Sequence, residues 1–78
     1  MAVTVKYFGA IAEETGITQE NLDVKEVEDV DALRSYCLSK YGNLKELTFQ
    51  VAVNQSIKSS GPLSDGDEVA LLPPFAGG

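Results

Sequence analysis

The chain predicts an α+β domain: a small sheet wrapped around one main helix, with a short additional helix. Three observations point there. Short runs of alternating apolar and polar residues occur near the start, in the second half and close to the end, at Val3–Tyr7, Phe49–Val53 and Glu68–Leu72. A segment between Asp29 and Gly42 instead repeats its apolar residues at helical spacing. Turn-forming residues separate these runs, so strand, helix, strand, helix and further strands follow one another in a layered arrangement.

Val3, Val5 and Tyr7 share one face of the first strand. Phe8, Ile11, Ala12 and Thr15 then recur as on one side of a helix of about two turns, and Gly16 is a natural left-handed stop. Leu22 and Val24, with Val27 as a further candidate, suggest a second strand antiparallel to the first, with Asp23 and Lys25 facing outward. The main helix is expected to start at Asp29 as N-cap, to carry Asp31 in its first turn and to end at Gly42 as a C′ glycine. Its stripe of Leu33, Tyr36, Cys37 and Tyr41 should cover the sheet. Phe49, Val51 and Val53 alternate with Gln50 and Ala52, and Asn54-Gln55 predicts a tight turn into a return strand at Ser56–Lys58. Leu63 follows Pro62, and Asp65-Gly66 opens the last strand.

Composition narrows the function. The 78 residues suit one domain, with 44% hydrophobic and 23% charged residues, an ordinary balance for a folded chain. Twelve acidic against six basic residues give a net charge of −6, which disfavours nucleic acid and anionic membranes as partners. Lys6, Lys25, Arg34, Lys40, Lys45 and Lys58 are scattered and form no basic run. One cysteine and no histidine leave no internal disulfide and no plausible zinc set. No window approaches the roughly 20 apolar residues that span a bilayer, and no secretory leader is apparent, so a cytoplasmic location is expected.

No self-sufficient catalytic set emerges. Cys37 lies on the apolar stripe with no histidine to serve as its base, which reads as core packing. Glu13-Glu14 and Asp65 to Glu68 read as solvated surface, because neighbouring helix residues do not face one another and the second set brackets a turn. The glycines form neither of the phosphate-binding patterns G-x-x-x-x-G-K-[ST] and G-x-G-x-x-G.

The end of the chain is different. Residues 1–72 form the domain and residues 73–78, Pro73-Pro74-Phe75-Ala76-Gly77-Gly78, form a tail without charged side chains. The prolines fix their own φ and hold Leu72 and Pro73 extended, which stiffens the base. Beyond Phe75 the side chains shrink to one methyl and then to none, so the terminal carboxylate suits a narrow channel. Six extended residues reach roughly 20 Å. The same residues also fit an ordinary frayed terminus, and composition alone leaves both readings open.

The run Leu63-Ser64-Asp65-Gly66-Asp67-Glu68-Val69, then Leu71-Leu72-Pro73-Pro74 and the closing Ala76-Gly77-Gly78, resembles the small subunits of molybdopterin synthase. Tyr7-Phe8-Gly9-Ala10, Asp29 to Leu33 and Val51-Ala52-Val53-Asn54-Gln55 carry the same resemblance, which runs from about Val3 to Gly78. It implies a β-grasp, ubiquitin-like fold and a sulfur carrier in molybdenum cofactor biosynthesis, non-catalytic alone. Gly78 would be the reacting residue. In that family a ubiquitin-activating-type enzyme adenylates the terminal carboxylate with ATP, and a sulfur donor protein converts it to a thiocarboxylate. The large synthase subunit then accepts the tail, in a heterotetramer, and passes the sulfur to a cyclic pyranopterin phosphate.

By the same resemblance the chain binds no cofactor itself, ATP being used by the activating enzyme, and ends ready for activation without trimming. Phe75 departs from the family, which usually has a smaller aliphatic residue there. It reads either as an anchor in an apolar pocket of the large subunit or as packing on its own domain. Two other functions share the diglycine ending: a sulfur carrier for thiamine thiazole, against which Pro73-Pro74 argues, and a ubiquitin-like modifier conjugated through Gly78. The partner surface outside the tail is expected near the last strand, with Phe8 or Leu72 contributing if exposed.

Overall fold

The computed structural model describes residues 1–58 and 60–73. The expectations for Pro74, Phe75, Ala76, Gly77 and Gly78 therefore lie outside the described residues. Alternation along the first strand, β1 (Ala2–Tyr7), buries Val3, Val5 and Tyr7 and leaves Thr4 and Lys6 half-buried on the other face. Then come α1 (Gly9–Thr15), β2 (Gln19–Asp23), α2 (Val30–Lys40), a 3-10 turn at Gly42–Glu46, β3 (Gln50–Val53), β4 (Ser56–Ile57) and β5 (Glu68–Leu72).

Among the described residues the strands form one mixed sheet in the order β2-β1-β5-β3-β4. The parallel pair β1 and β5 lies at its centre, and every other pairing is antiparallel. Val30, Leu33 and Cys37 of α2 join Val3, Val5, Tyr7, Val51, Val53, Val69 and Leu71 in one core on the inner face of the sheet. Full burial of a residue such as Leu33 contributes about 1.5–3 kcal/mol. This is the β-grasp arrangement, with the short α1 as the additional helix.

Local signals hold where their cause is local. The Asp29 carboxylate accepts a hydrogen bond from the Ala32 amide at 2.7 Å, capping α2 as expected. Asn54 and Gln55 both take positive φ, 49° and 73°, and turn β3 into β4 without a glycine. The Asn54 side chain stabilises that turn by accepting from the Glu68 amide and donating to the Asp67 carboxylate, each at 3.0 Å.

Other elements shift. β2 begins at Gln19 and ends at Asp23, so Val24 falls in the following turn and Val27 is buried beyond the strand. Phe8 precedes α1 in an extended conformation and is exposed, not part of the helix's buried side. The main helix ends at Tyr41, whose amide donates to the Cys37 carbonyl, and Gly42 opens the 3-10 turn without adopting positive φ. That turn buries Leu44, which no repeat in the sequence marks. Ala52, expected to face outward, does leave the core side yet is buried, because its partners across the sheet cover so small a residue.

Candidate functional site

The tail leaves from the end of β5, and that strand is held on both sides. Leu71 pairs with Tyr7 of β1 and with Val51 of β3, while Leu72 pairs with Gln50. The Phe8 amide donates to the Leu71 carbonyl at 3.3 Å, carrying the ladder one residue past β1. Pro73 follows, half-buried, and having no N–H it ends the ladder. Of the tail residues singled out in the sequence, Pro73 is thus placed at the exit, beside Gly9.

The outer face of the sheet beside this exit carries a short apolar row among polar residues, and among the described residues no helix covers it. Lys6, Ala70, Ala52 and Ile57 stand in one row across β1, β5, β3 and β4. Ile57 is 57% exposed and Phe8 44%, and Leu72 is half-buried on the same face by alternation. The row is bordered by an exposed ion pair between Lys6 and Glu68 at 3.3 Å, of the kind that contributes little to stability.

Charge is distributed unevenly between the ends. Asp23 at the end of β2, Glu26, Glu28, Asp29, Asp31 in the first turn of α2, Asp65 and Asp67 gather at the end opposite the exit. They are joined there by Val24 to Met1, Gly66 to Ala2 and Leu63 to Glu28 backbone bonds. Two shallow hollows, of about 190 and 220 Å³, are lined by Asn54, Gln55 and Glu68 and by Val24, Lys25, Glu28 and Leu63. Both lie at that acidic end, so neither offers a chemical site at the exit. Among the described residues no group of acidic and sulfur side chains has the arrangement of a metal site, and no helix is long and apolar enough to cross a membrane.

One polar cluster beneath the exit escaped the sequence reading. Glu20 pairs with Val5, so its side chain points to the inner face, where Tyr7 donates to its Oε2. Tyr41 donates to the same oxygen at 2.9 Å, and Lys40 Nζ to Oε1 at 3.0 Å. Burial pushes the Glu20 carboxyl up, but the bonds from Tyr7, Lys40 and Tyr41 outweigh it and hold the group below its ordinary value. The Tyr7 hydroxyl is raised, first by burial and then by its bond to Glu20. Counting the alternation of β2 backwards from Leu22 would have placed Glu20 inward, had the strand been extended to Gln19. Cys37, fully buried with its Sγ 3.8 Å from the Tyr7 hydroxyl, is pushed up to about 11 by burial, in keeping with packing and not nucleophilic chemistry.

The fold is thus a β-grasp domain whose central strand, β5, leads directly into the segment 73–78 that closes on two glycines. Comparison with known proteins makes the family definite. The model of the ThiS family matches residues 5–78, and the chain belongs to that family. It is 42% identical, over 80 residues, to a molybdopterin synthase sulfur carrier subunit of Mycobacterium tuberculosis (strain ATCC 25618 / H37Rv), with 97% of this chain and 96% of that protein covered.

Solved structures agree. A Pyrococcus furiosus protein assigned as molybdopterin converting factor subunit 1 superposes with a TM-score of 0.86 at 27% identity, covering 96% of this chain and 99% of that one. A chain of the complex of subunits 1 and 2 of the molybdopterin-converting factor from Helicobacter pylori 26695 matches with a TM-score of 0.73 at 33% identity, over 100% of both chains.

Proposed function

We propose that this chain is the sulfur carrier subunit of a molybdopterin synthase, with Gly78 as the carrying residue. The reading rests on the near full-length 42% identity to a protein of that function. The residue chemistry supports it. A free carboxylate is a poor electrophile, so adenylation by a ubiquitin-activating-type enzyme with ATP would supply AMP as a leaving group. Sulfur from a donor protein then replaces AMP at the acyl carbon, leaving a thiocarboxylate. A terminal glycine leaves that carbon open to attack, and Gly77 keeps the approach unobstructed one residue earlier.

The partner that uses the sulfur would be a large subunit, delivering it to a cyclic pyranopterin phosphate. The outer sheet face with Phe8, Leu72, Ala70 and Ile57 is its proposed seat, because these apolar residues share a face with a polar border and are continuous with the tail exit. Phe75 serves as a further anchor on entering the large subunit. The relation of such a seat to the tail is economical: the sheet supplies buried area while the tail supplies the reacting group.

Intact mass spectrometry tests the function directly. After incubation with the activating enzyme, ATP and a sulfur source, the chain should gain the mass difference between one sulfur and one oxygen atom. Removal of Gly77 and Gly78 should abolish both this gain and pterin conversion while the fold persists. Conversion retained by the shortened chain would sink the reading.

A further inference from the structure

The chain turns from β1 into α1 at Gly9, which has a φ of 57°, in the left-handed region that side chains other than glycine's seldom adopt. That requirement is shared by Gly16, Gly61 and Gly66. What sets Gly9 apart is its neighbour. A Cβ placed on Gly9 would lie 3.3 Å from Pro73 Cγ and 3.9 Å from Cδ, whereas one placed on Gly16, Gly42, Gly61 or Gly66 meets nothing within 4 Å. The shorter distance is inside the roughly 3.5–4.0 Å of ordinary carbon contacts. A side chain on Gly9 would therefore crowd the ring of the tail's first residue, which would have to give by a few tenths of an ångström.

We infer that Gly9 is a positioning residue, forming with Phe8 a seat for the Pro73 ring that sets the heading at which the tail leaves the sheet. Each flank of the seat is fixed. The Phe8 amide is bonded to the Leu71 carbonyl, and Tyr7, the residue before Phe8, is held through its hydroxyl by Glu20. Pro73 has its own φ fixed, and it keeps Leu72 extended in β5. With the ring seated on the Gly9 backbone, the freedom left to Pro73 itself is small. A tail aimed in advance loses less conformational entropy on entering a partner's active site. This inference rests on the sulfur carrier reading for its functional consequence, though not for its geometry.

Two arms test it. In the isolated chain, NMR should show a nuclear Overhauser contact between the Gly9 Hα protons and the Pro73 ring; its absence overturns the seat whatever the kinetics. In the second arm, ATP–pyrophosphate exchange by the activating enzyme is measured for wild type, Gly9→Ala, Pro73→Ala and the double variant. Gly9→Ala should raise the KM for the carrier about threefold to tenfold, the size of ordering at most one more residue, with kcat within about twofold.

The double variant should be no worse than Pro73→Ala, because the ring that the new methyl would strike is gone. Left-handed strain at residue 9 is present in both backgrounds and cancels. An equal rise in KM in both backgrounds, or none in either, overturns the proposal. Gly9→Asn repeats the experiment with a residue that tolerates positive φ and brings the same Cβ, should Gly9→Ala fail to fold. If wild type supports no exchange, the sulfur carrier reading fails, and the nuclear Overhauser contact alone decides the seat.

Discussion

The two faces of the sheet are built by the same strands and differ in what they are asked to do. Inward, Val3, Val5, Tyr7, Val51, Val53, Val69 and Leu71 meet Val30, Leu33 and Cys37 of α2 and are closed to water. Outward, the row through Ala70, Ala52 and Ile57 carries small or exposed apolar residues beside the tail exit, with no helix over it. A period of two along each strand thus separates the side chains that hold the fold from the interleaved set on which the proposed partner would sit.

The separation can be broken most severely from the inside. Leu33→Ala should cost about 2–5 kcal/mol of stability, read from the urea midpoint, since a fully buried side chain leaves a cavity beneath the sheet. A cost under 1 kcal/mol would mean that α2 is not packed as described. On the other face, Ile57→Glu should leave the urea midpoint nearly unchanged, within about 0.5 kcal/mol. Its affinity for the large subunit, measured by titration calorimetry, should fall about tenfold or more, or about 1.4 kcal/mol. Unchanged affinity would remove the outer face from the proposed interface.

Glu20 sharpens the comparison, because it is a carboxylate on the inner side. Glu20→Gln should cost about 1 kcal/mol near neutral pH through the weakened bonds to Tyr7, Tyr41 and Lys40. The sign of the pH dependence follows from the direction of the shift. The folded group titrates below its ordinary value of 4.5, so its contribution is complete above that value and is lost as pH falls through the lower folded value. The stability gap between wild type and Glu20→Gln should close in that acidic window; a gap independent of pH there would contradict the carboxylate's role. The smallest effect is expected at the hairpin. Gln55→Gly should stabilise by about 0.5 kcal/mol, as glycine relieves the positive φ at some cost in unfolded-state entropy, and a lower thermal midpoint would refute this.

How much of this was legible beforehand depends on the range of the interaction responsible. The Asp29 cap, the Asn54-Gln55 turn and the strand of Val3, Val5 and Tyr7 arise from residues within a few positions of one another, and their signals are local. β2 was misplaced because Gln19, Glu20 and Asn21 lack strand-like side chains; pairing with β1 holds them in the sheet. Leu44 carried no periodic signal, since a 3-10 turn is too short to repeat one. Glu20 was invisible as an inner residue for the same reason that its strand was shortened.

By itself the sequence determined the α+β order of elements, the face of each well-patterned strand and the character of the tail, from Pro73-Pro74 to the bare Gly77-Gly78. Those properties depend on backbone preferences and side-chain size, which each residue brings with it wherever it stands. Only the tertiary structure decided that β5 lies between β1 and β3, parallel to the first and antiparallel to the second, that Glu20 meets Tyr7 and Tyr41, and that Gly9 leaves room for Pro73. Each of these joins residues far apart in the chain, and their meeting is set by the packing of the whole sheet around α2, not by any pattern that one segment contains.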